Sequence, residues 1–156
     1  MAESPRSPEQ EYRNLVEAYY SLRMQLESSM NALKQVQSML EGISISNSVI
    51  EELQGKDADH EIILPIGNFA YIKAKIPTPD TILVSVGRST LVERNDKQAL
   101  DFIRKKREEL KKQEDILKKN VEQASSQLKQ IEPVLTQFQQ QAQQAQQAYQ
   151  PPRSPN

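Results

Sequence analysis

Cysteine is absent from this chain of 156 residues, and histidine occurs once, as His60. Without cysteine there are no disulfides and no thiolate chemistry, and a reducing compartment is the easier environment. His60 has no partners at metal-ligand spacing, so we interpret it as a solvated loop residue beside the first predicted strand. The four glycines are scattered, which argues against a phosphate-binding loop. We therefore expect no catalytic site, no metal and no cofactor, and predict that the protein is not an enzyme.

Long apolar runs are missing as well. No stretch approaches the roughly 18 consecutive apolar residues of a membrane-spanning helix, and the opening MAESPRSPEQ lacks the apolar run of a secretory signal. Basic and acidic residues number 20 and 21, so the net charge of -1 gives no general attraction to nucleic acid or acidic lipid. These features predict a soluble, cytoplasmic protein with no membrane and no nucleic-acid partner.

The chain does have two long segments in which apolar residues recur about every 3.5 positions, the repeat of a coiled coil. The a and d positions of the first segment are Tyr12, Leu15, Tyr19, Leu22, Leu26, Ser29, Leu33, Val36, Leu40 and Ile43. Those of the second are Leu100, Ile103, Arg107, Leu110, Glu114, Leu117, Val121, Ala124, Leu128, Ile131, Leu135, Phe138, Ala142, Ala145 and Tyr149. A mean hydropathy of -0.71 agrees with narrow buried seams. We predict helices over residues 9–54 and 96–149 that pair antiparallel.

Some residues interrupt this pattern. Gly42 either ends the first helix or lies within a helix that continues to about residue 54, and we favour the continuous helix. Arg107 and Glu114 occupy a positions, where they either fix the register of the coil, as we favour, or mark a splayed coil. The basic run at 104–107 is followed at once by acidic residues. We interpret it as a solvated helix face, with a partner-docking or nucleic-acid surface as the alternatives.

The block between the helices, residues 61–94, alternates apolar and polar residues in the manner of β-strands. We predict four strands, at 61–66, 69–76, 81–86 and 89–94. Tight turns at Gly67-Asn68 and Gly87-Arg88 would join them into two hairpins. Isolated hairpins are marginal in water, so we expect their apolar faces to assemble with other subunits. The residues assigned to assembly are Ile62, Leu64, Ile72, Ile76, Ile82, Val84 and Val86.

The two ends of the chain contain prolines and no apolar pattern. We predict that residues 1–8 and 150–156 are disordered tails, with Ser7 or Pro8 opening the first helix. One domain then extends over residues 9–149.

The strand block, ILPIGNFAYIKAKI followed by ILVSVGRSTLVERN, resembles the α-class subunits of prefoldin. The matches with the most weight are Leu64-Pro65-Ile66-Gly67 and Val84-Ser85-Val86-Gly87, and the resemblance extends over roughly the predicted domain. Two hairpins indicate the α class, because the β-class subunits have one. Arg88-Ser89 stands where the family often carries a second glycine or a small pair, so the second turn is expected to differ in geometry.

The resemblance implies an α+β fold. A long antiparallel two-helix coiled coil carries two inserted β-hairpins, and the hairpins of several subunits form a multimeric β-barrel body. It also implies a hexamer of two α and four β-class subunits that binds unfolded client proteins at the distal ends of its coiled coils. The hexamer would pass these clients to a group II chaperonin without using ATP. The alternative is a prefoldin-fold scaffold subunit that organises a larger assembly and holds no client.

The ends of the helices that lie away from the strand block carry features that suit a client surface. Val16, Tyr20 and Met24 are apolar but lie off the seam, so they are either ordinary exposed residues or an adaptable contact surface. The seam of the second helix weakens to Ala142 and Ala145 in a glutamine-rich stretch, which is either a loosened coil or a solvated tail. The residues assigned to client contact are Tyr12, Val16, Tyr19, Tyr20, Met24, Phe138 and Tyr149.

Overall fold

The computed structural model describes the backbone of residues 7–148 and the side chains of residues 7–144. The elements are α1 (Pro8–Leu53), β1 (His60–Pro65), β2 (Tyr71–Ile76), β3 (Thr81–Gly87), β4 (Thr90–Asn95) and α2 (Asp96–Ala148). Two long helices with two antiparallel hairpins between them confirm the predicted α+β architecture. α1 is continuous through Gly42, as we favoured. Of the predicted disordered tails, residues 1–6 and 150–156 lie outside the described residues, as does Tyr149.

Contacts between residues divide the chain into two compact units. The described part of the first unit is residues 7–34 and 115–148, which are segments of α1 and α2. The second unit is Gln35–Glu114, which contains both hairpins and the helical segments that flank them. The prediction of one domain over residues 9–149 stays a prediction.

The start and end of α1 follow from local backbone chemistry. The Gln10 N–H lies 3.3 Å from Ser7 Oγ and 2.9 Å from Ser7 O, so Ser7, one of the two residues predicted to open the helix, is its N-cap. Pro8 is well placed at the first helical position, where its missing N–H has no intrahelical partner to lose. After Leu53 the chain turns through Gly55, whose φ of 72° is a left-handed conformation that glycine adopts without cost.

In the first unit the two helices bury the seam that the heptad pattern predicts. Ser29, Ala124 and Leu128 are buried. The other seam positions are half-buried, as expected of a two-stranded coil; they are Tyr12, Leu15, Tyr19, Leu22, Leu26, Leu33, Leu117, Val121, Ile131, Leu135 and Phe138. Ala142 is exposed, which agrees with the weaker seam expected at this end of α2.

This gradient predicts unequal responses to seam substitutions. Leu117→Ala should lower the free energy of unfolding by about 2 kcal/mol, the low end of the core range, because Leu117 is only half-buried. Ala142→Ser should change it little, because Ala142 is exposed. Hydrogen exchange followed by mass spectrometry should show slow opening at 110–128 and fast opening at 135–148. Uniform protection along α2 would contradict a seam that weakens toward residue 142.

In the second unit, each hairpin is a separate two-stranded antiparallel sheet, and no closed barrel exists among the described residues. In the first hairpin Leu64 lies opposite Ile72, so both side chains share one face. In the second, Val84 lies opposite Val92 and Leu83 opposite Glu93, on the two opposite faces. The sequence alternation therefore correctly predicts which residues share a face.

The predicted tight turn at Gly67-Asn68 is wrong. A five-residue loop joins Pro65 to Tyr71 and is closed by the Ile66 N–H, which donates to Ala70 O at 2.9 Å. Gly67 has a φ of 149°, which is not the conformation of either favoured two-residue hairpin turn. The chain therefore needs the longer loop to reverse direction.

The second turn is a two-residue loop shifted by one position from the prediction. Gly87 pairs with Thr90, which leaves Arg88 and Ser89 as the corners, with φ values of 47° and 59°. Positive φ at both corners is the type I′ requirement, although neither residue is one that usually meets it. The register shifts between Ser85 and Gly87, so Val86 is the extra residue of a bulge, and the glycine that was predicted to form the turn lies in the last pair of the ladder.

The second hairpin packs on the helical segments of its own unit. Val84 is buried in a cluster with Ile50, Ala99 and Ile103. The partly buried residues around this cluster are Ile43, Ile82, Val92, Leu100 and Phe102. Burying a side chain such as Val84 contributes about 1.5–3 kcal/mol, so this face of the hairpin is held within the chain.

The two polar a positions behave differently. Glu114 is buried, accepts a 3.5 Å hydrogen bond from Gln37 Nε2 and lies 3.0 Å from Lys111 Nζ. Arg107 is exposed. Glu114 therefore has the paired, buried environment of a residue that fixes register, whereas the seam is open at Arg107.

A capping box links β4 directly to α2. Asn95 Oδ1 accepts from the Gln98 N–H at 2.9 Å, and Gln98 Oε1 accepts from the Asn95 N–H at 3.4 Å. Asp96, the first helical residue, also accepts a 3.0 Å bond from Gln54 Nε2. These bonds set the point at which the strand becomes a helix.

Removal of the cap should measurably destabilise the chain. Asn95→Ala should lower the free energy of unfolding by about 1 kcal/mol, because the Gln98 N–H loses its partner. Gln98→Ala should cost less, since its 3.4 Å bond is the weaker half of the box. Urea unfolding followed by circular dichroism measures both, and equal stability of Asn95→Ala and the unsubstituted protein would rule out this capping role.

Candidate functional site

The first unit contains a cleft of about 420 Å³ on one side of the helix pair. It is lined by Tyr12, Val16, Tyr19, Tyr20, Glu132, Leu135, Thr136 and Gln139. We call it the tyrosine cleft. Four of the seven residues assigned to client contact are among these, and all four belong to α1.

Helical spacing places these side chains on one side. Tyr12, Val16 and Tyr19 are spaced by four and three residues along α1, and so lie on one face of the helix. Glu132 and Gln139 are seven residues apart on α2 and share a face for the same reason. The cleft therefore combines seam positions, which are half-buried, with positions beside the seam.

Two ring contacts organise the aromatic side chains. The Tyr12 and Phe138 ring centroids lie 6.0 Å apart in a tilted arrangement, and those of Tyr19 and Tyr20 lie 5.8 Å apart, edge to face. Tyr20 is 61 % exposed. The aromatic wall is thus fixed on its seam side and open to solvent on the other.

The polar part of the cleft centres on Glu132. The Tyr19 hydroxyl donates to Glu132 Oε1 at 3.5 Å, and the Thr136 hydroxyl donates to the Glu132 backbone carbonyl at 2.9 Å. The first distance is long for an O–H···O bond, so most of the accepting capacity of the carboxylate stays available. Of the residues that line the cleft in the described part of the chain, Glu132 alone carries a formal charge.

The other residues assigned to client contact lie elsewhere. Met24 is 72 % exposed and does not line the cleft. Phe138 does not line the cleft either, but its ring lies 6.0 Å from that of Tyr12, which does. Sequence reasoning missed Glu132, Thr136 and Gln139, which are polar and were not considered for contact with apolar clients. Their spacing of three to four residues along α2 was the available signal.

The residues assigned to assembly divide into two environments. In the first hairpin Leu64 and Ile72 are 42 % and 46 % exposed, beside half-buried Ile62 and Ile76. In the second hairpin Val86 is exposed, whereas Val84 is buried and Ile82 half-buried in the core described above. Val84 and Ile82 therefore contact their own helices and are not open to a partner in this chain.

Sequence reasoning also missed exposed apolar residues on the hairpins. Leu83 and Leu91 are each 59 % exposed on the outer face of the second hairpin. Phe69, in the loop of the first hairpin, is 97 % exposed. Single exposed apolar residues are common, but several of them on two open hairpins indicate an interaction surface.

A groove of about 940 Å³ lies beside β3 within the second unit. Its apolar lining includes Met39, Ile45 and Val49 of α1 and Leu83 of β3. These α1 residues are exposed and lie outside the heptad seam. The groove, the face of the first hairpin that carries Leu64 and Ile72, and the outer face of the second hairpin together form the second candidate surface, which we call the assembly surface.

The described residues offer no candidate metal centre. No cluster of three or more His, Cys, Asp or Glu side chains that could hold a metal ion occurs there. His60 is the half-buried first residue of β1, opposite Ile76, so its assignment to a solvated loop was wrong. None of the described helices is both long enough and apolar enough to cross a membrane.

Two heptad helices that bracket two open hairpins define a class of subunits built to assemble with others. A profile of the family described as Prefoldin subunit matches residues 21–141. The chain belongs to the prefoldin family. Barrels in this fold are completed by several subunits, and this chain alone contributes two open hairpins.

Relatives identify the class within the family. Prefoldin subunit alpha of Methanococcoides burtonii is 32% identical over 124 residues, which cover 80% of this chain and 90% of that protein. Prefoldin subunit alpha of Methanothrix thermoacetophila is 30% identical over 107 residues, or 69% of this chain and 70% of that protein. With its two hairpins, the chain is an α-class subunit.

A solved structure agrees on the fold. A chain of filamentous PFD from Methanocaldococcus jannaschii superposes with a TM-score of 0.61 at 18% identity. The match covers 74% of this chain and 95% of that one. At this identity the likeness shows the fold alone.

Proposed function

We propose that the protein is the α-class subunit of a hexameric, ATP-independent chaperone that holds unfolded polypeptides. The observation that carries the proposal is the open tyrosine cleft, which presents aromatic surface without enclosing a shaped pocket. A holdase meets many sequences, and loose apolar contacts suit that task better than complementarity to one ligand. The protein is not an enzyme in this proposal; it works through binding alone, in the cytoplasm.

The assembly surface supports the oligomeric part of the proposal. Leu64, Ile72, Leu83 and Leu91 are exposed apolar residues on strands. The two hairpins also have unpaired edges, which invite pairing with another chain. β-class subunits, four for each two α subunits, would cover this surface and complete the barrel body.

The coiled coils of the several subunits, which we call arms, would hold a client together even if each one binds it weakly. One tyrosine cleft offers a small and mainly polar surface, so the coiled coil of a single subunit binds a client weakly. Linked arms around one client raise the net affinity by roughly 10²–10⁴-fold through effective concentration. Release then needs no fuel, because arms detach one at a time, and a group II chaperonin can take the client as they do.

Aggregation suppression tests the proposal. The chain is co-assembled with a β-class subunit, and a chemically denatured client is diluted into the complex while light scattering is recorded. We expect suppression at stoichiometric amounts of the complex and without ATP. An assembled complex that leaves the client to aggregate would favour the scaffold alternative. Addition of a group II chaperonin then tests transfer, which should recover native client.

A further inference from the structure

We propose that the tyrosine cleft selects client segments in which a lysine or arginine lies among apolar residues, and that Glu132 receives the cation. This inference rests on the proposed function and names the chemistry of the bound segment. An apolar surface by itself would not distinguish a basic segment from an acidic one. The cleft contains two features that do.

The first feature is the isolated negative charge. Among the described residues that line the cleft, Glu132 is the charged one, and the bond that its carboxylate receives from the described side chains is the long 3.5 Å bond from Tyr19. Ion pairs in the described part of the chain join other groups, such as Glu9 with Arg13. A cation entering the cleft therefore meets a carboxylate with accepting capacity left over and displaces no cationic side chain of the described residues.

The second feature is the aromatic wall around that charge. Tyr12, Tyr19 and Tyr20 line the same cleft as Glu132. Faces of aromatic rings attract cations, and the aliphatic stems of lysine and arginine pack along apolar surface while their charged heads reach polar groups. Tyrosines beside a carboxylate thus match both parts of a basic side chain.

The size of the cleft limits what it can take. Its volume of about 420 Å³ is in the range of small-molecule sites, enough for one long side chain and part of its neighbours. The occupant is therefore a short extended segment and not a folded domain. An acidic side chain at the same place would approach Glu132 as a like charge, so the cleft discriminates by repulsion as well as by attraction.

Three fluorescent peptides test the inference on the assembled complex. They share one apolar sequence and differ at a central lysine, glutamine or glutamate. We expect the lysine peptide to bind about 3–10-fold more tightly than the glutamate peptide at low salt, the size of one partly exposed charge interaction. Added salt should shrink the difference.

Substitutions then locate the effect. Glu132→Gln should remove the preference and Glu132→Lys should reverse it, with helix content unchanged because Glu132 is exposed. Glu122→Lys is the matched control: it makes the same charge change at an exposed position of α2 outside the cleft lining, and should keep the preference.

Each outcome decides a separate question. Equal binding of the three peptides, or a preference that Glu132→Lys leaves intact, would overturn this inference while the holdase function stands. Failure of all three peptides to bind, together with no suppression of aggregation, would overturn both. A further outcome is that the lysine peptide binds only after residues 149–156 have been deleted. The cation that Glu132 receives would then be the chain's own Arg153, and this inference would be overturned.

Discussion

Deletion of residues 1–20 together with 138–156 should remove most of the suppression of client aggregation and leave the stoichiometry of the complex unchanged. The deletion takes away Tyr12, Tyr19 and Tyr20 from the tyrosine cleft, and also Phe138. It leaves every residue of Gln35–Glu114 in place, which includes the hairpins. Native mass spectrometry measures the stoichiometry, and light scattering of a denatured client measures the activity.

A smaller deletion and a point substitution complete that experiment. Removal of residues 1–6 alone should leave suppression intact, because it keeps all of the described residues that line the tyrosine cleft. Met24→Ser should also change the suppression of aggregation little, because Met24 lies outside the cleft and client binding is shared among the coiled coils of several subunits. Full protection by the doubly truncated complex would place the client site elsewhere, with the assembled body the next region to examine.

Ile72→Asp should abolish formation of the hexamer and leave the helix content of the chain largely unchanged. Ile72 is 46 % exposed in the single chain, so the charge is tolerated there. A partner that covers this face would bury the charge without a counterion, which is costly enough to break an interface. Light scattering gives the mass of the complex, and circular dichroism gives the helix content.

Two further substitutions separate assembly from folding. Val84→Asp should destabilise the chain itself by about 3–5 kcal/mol, because it leaves an uncompensated charge in the cluster with Ile50, Ala99 and Ile103. Ile63→Asp, on the other face of the first hairpin and 67 % exposed, should leave assembly intact. An unchanged complex mass for Ile72→Asp would mean that Ile72 faces water in the assembled protein.

The contrast between Ile72 and Val84 shows where sequence reasoning reaches its limit. Both were assigned to assembly from the same alternation, and the alternation correctly placed each of them on an apolar face. It could not say what covers that face. In the second hairpin the cover is the chain's own helices, and in the first hairpin the face stays open.

The geometry of the two turns and the polar residues of the tyrosine cleft also could not be predicted from the sequence. Gly67-Asn68 and Gly87-Arg88 correctly marked where the chain reverses, but loop length and register depend on φ values that the residue types only bias. Glu132 was overlooked because a polar residue beside a seam is ordinarily solvated. Only the pairing of two helices placed it next to Tyr19.

The sequence by itself determined the secondary structure and the seam of this protein. Apolar residues recur every 3.5 positions in the helices and every 2 positions in the strands, and these repeats are local properties that follow from backbone geometry. It also determined the absence of cysteine chemistry and the family resemblance. The tertiary structure decided which apolar face is buried within the chain, which stays open, and which polar side chains join the aromatic ones. These depend on contacts between residues such as Val84 and Ile103 that are distant in sequence, and no local period encodes them.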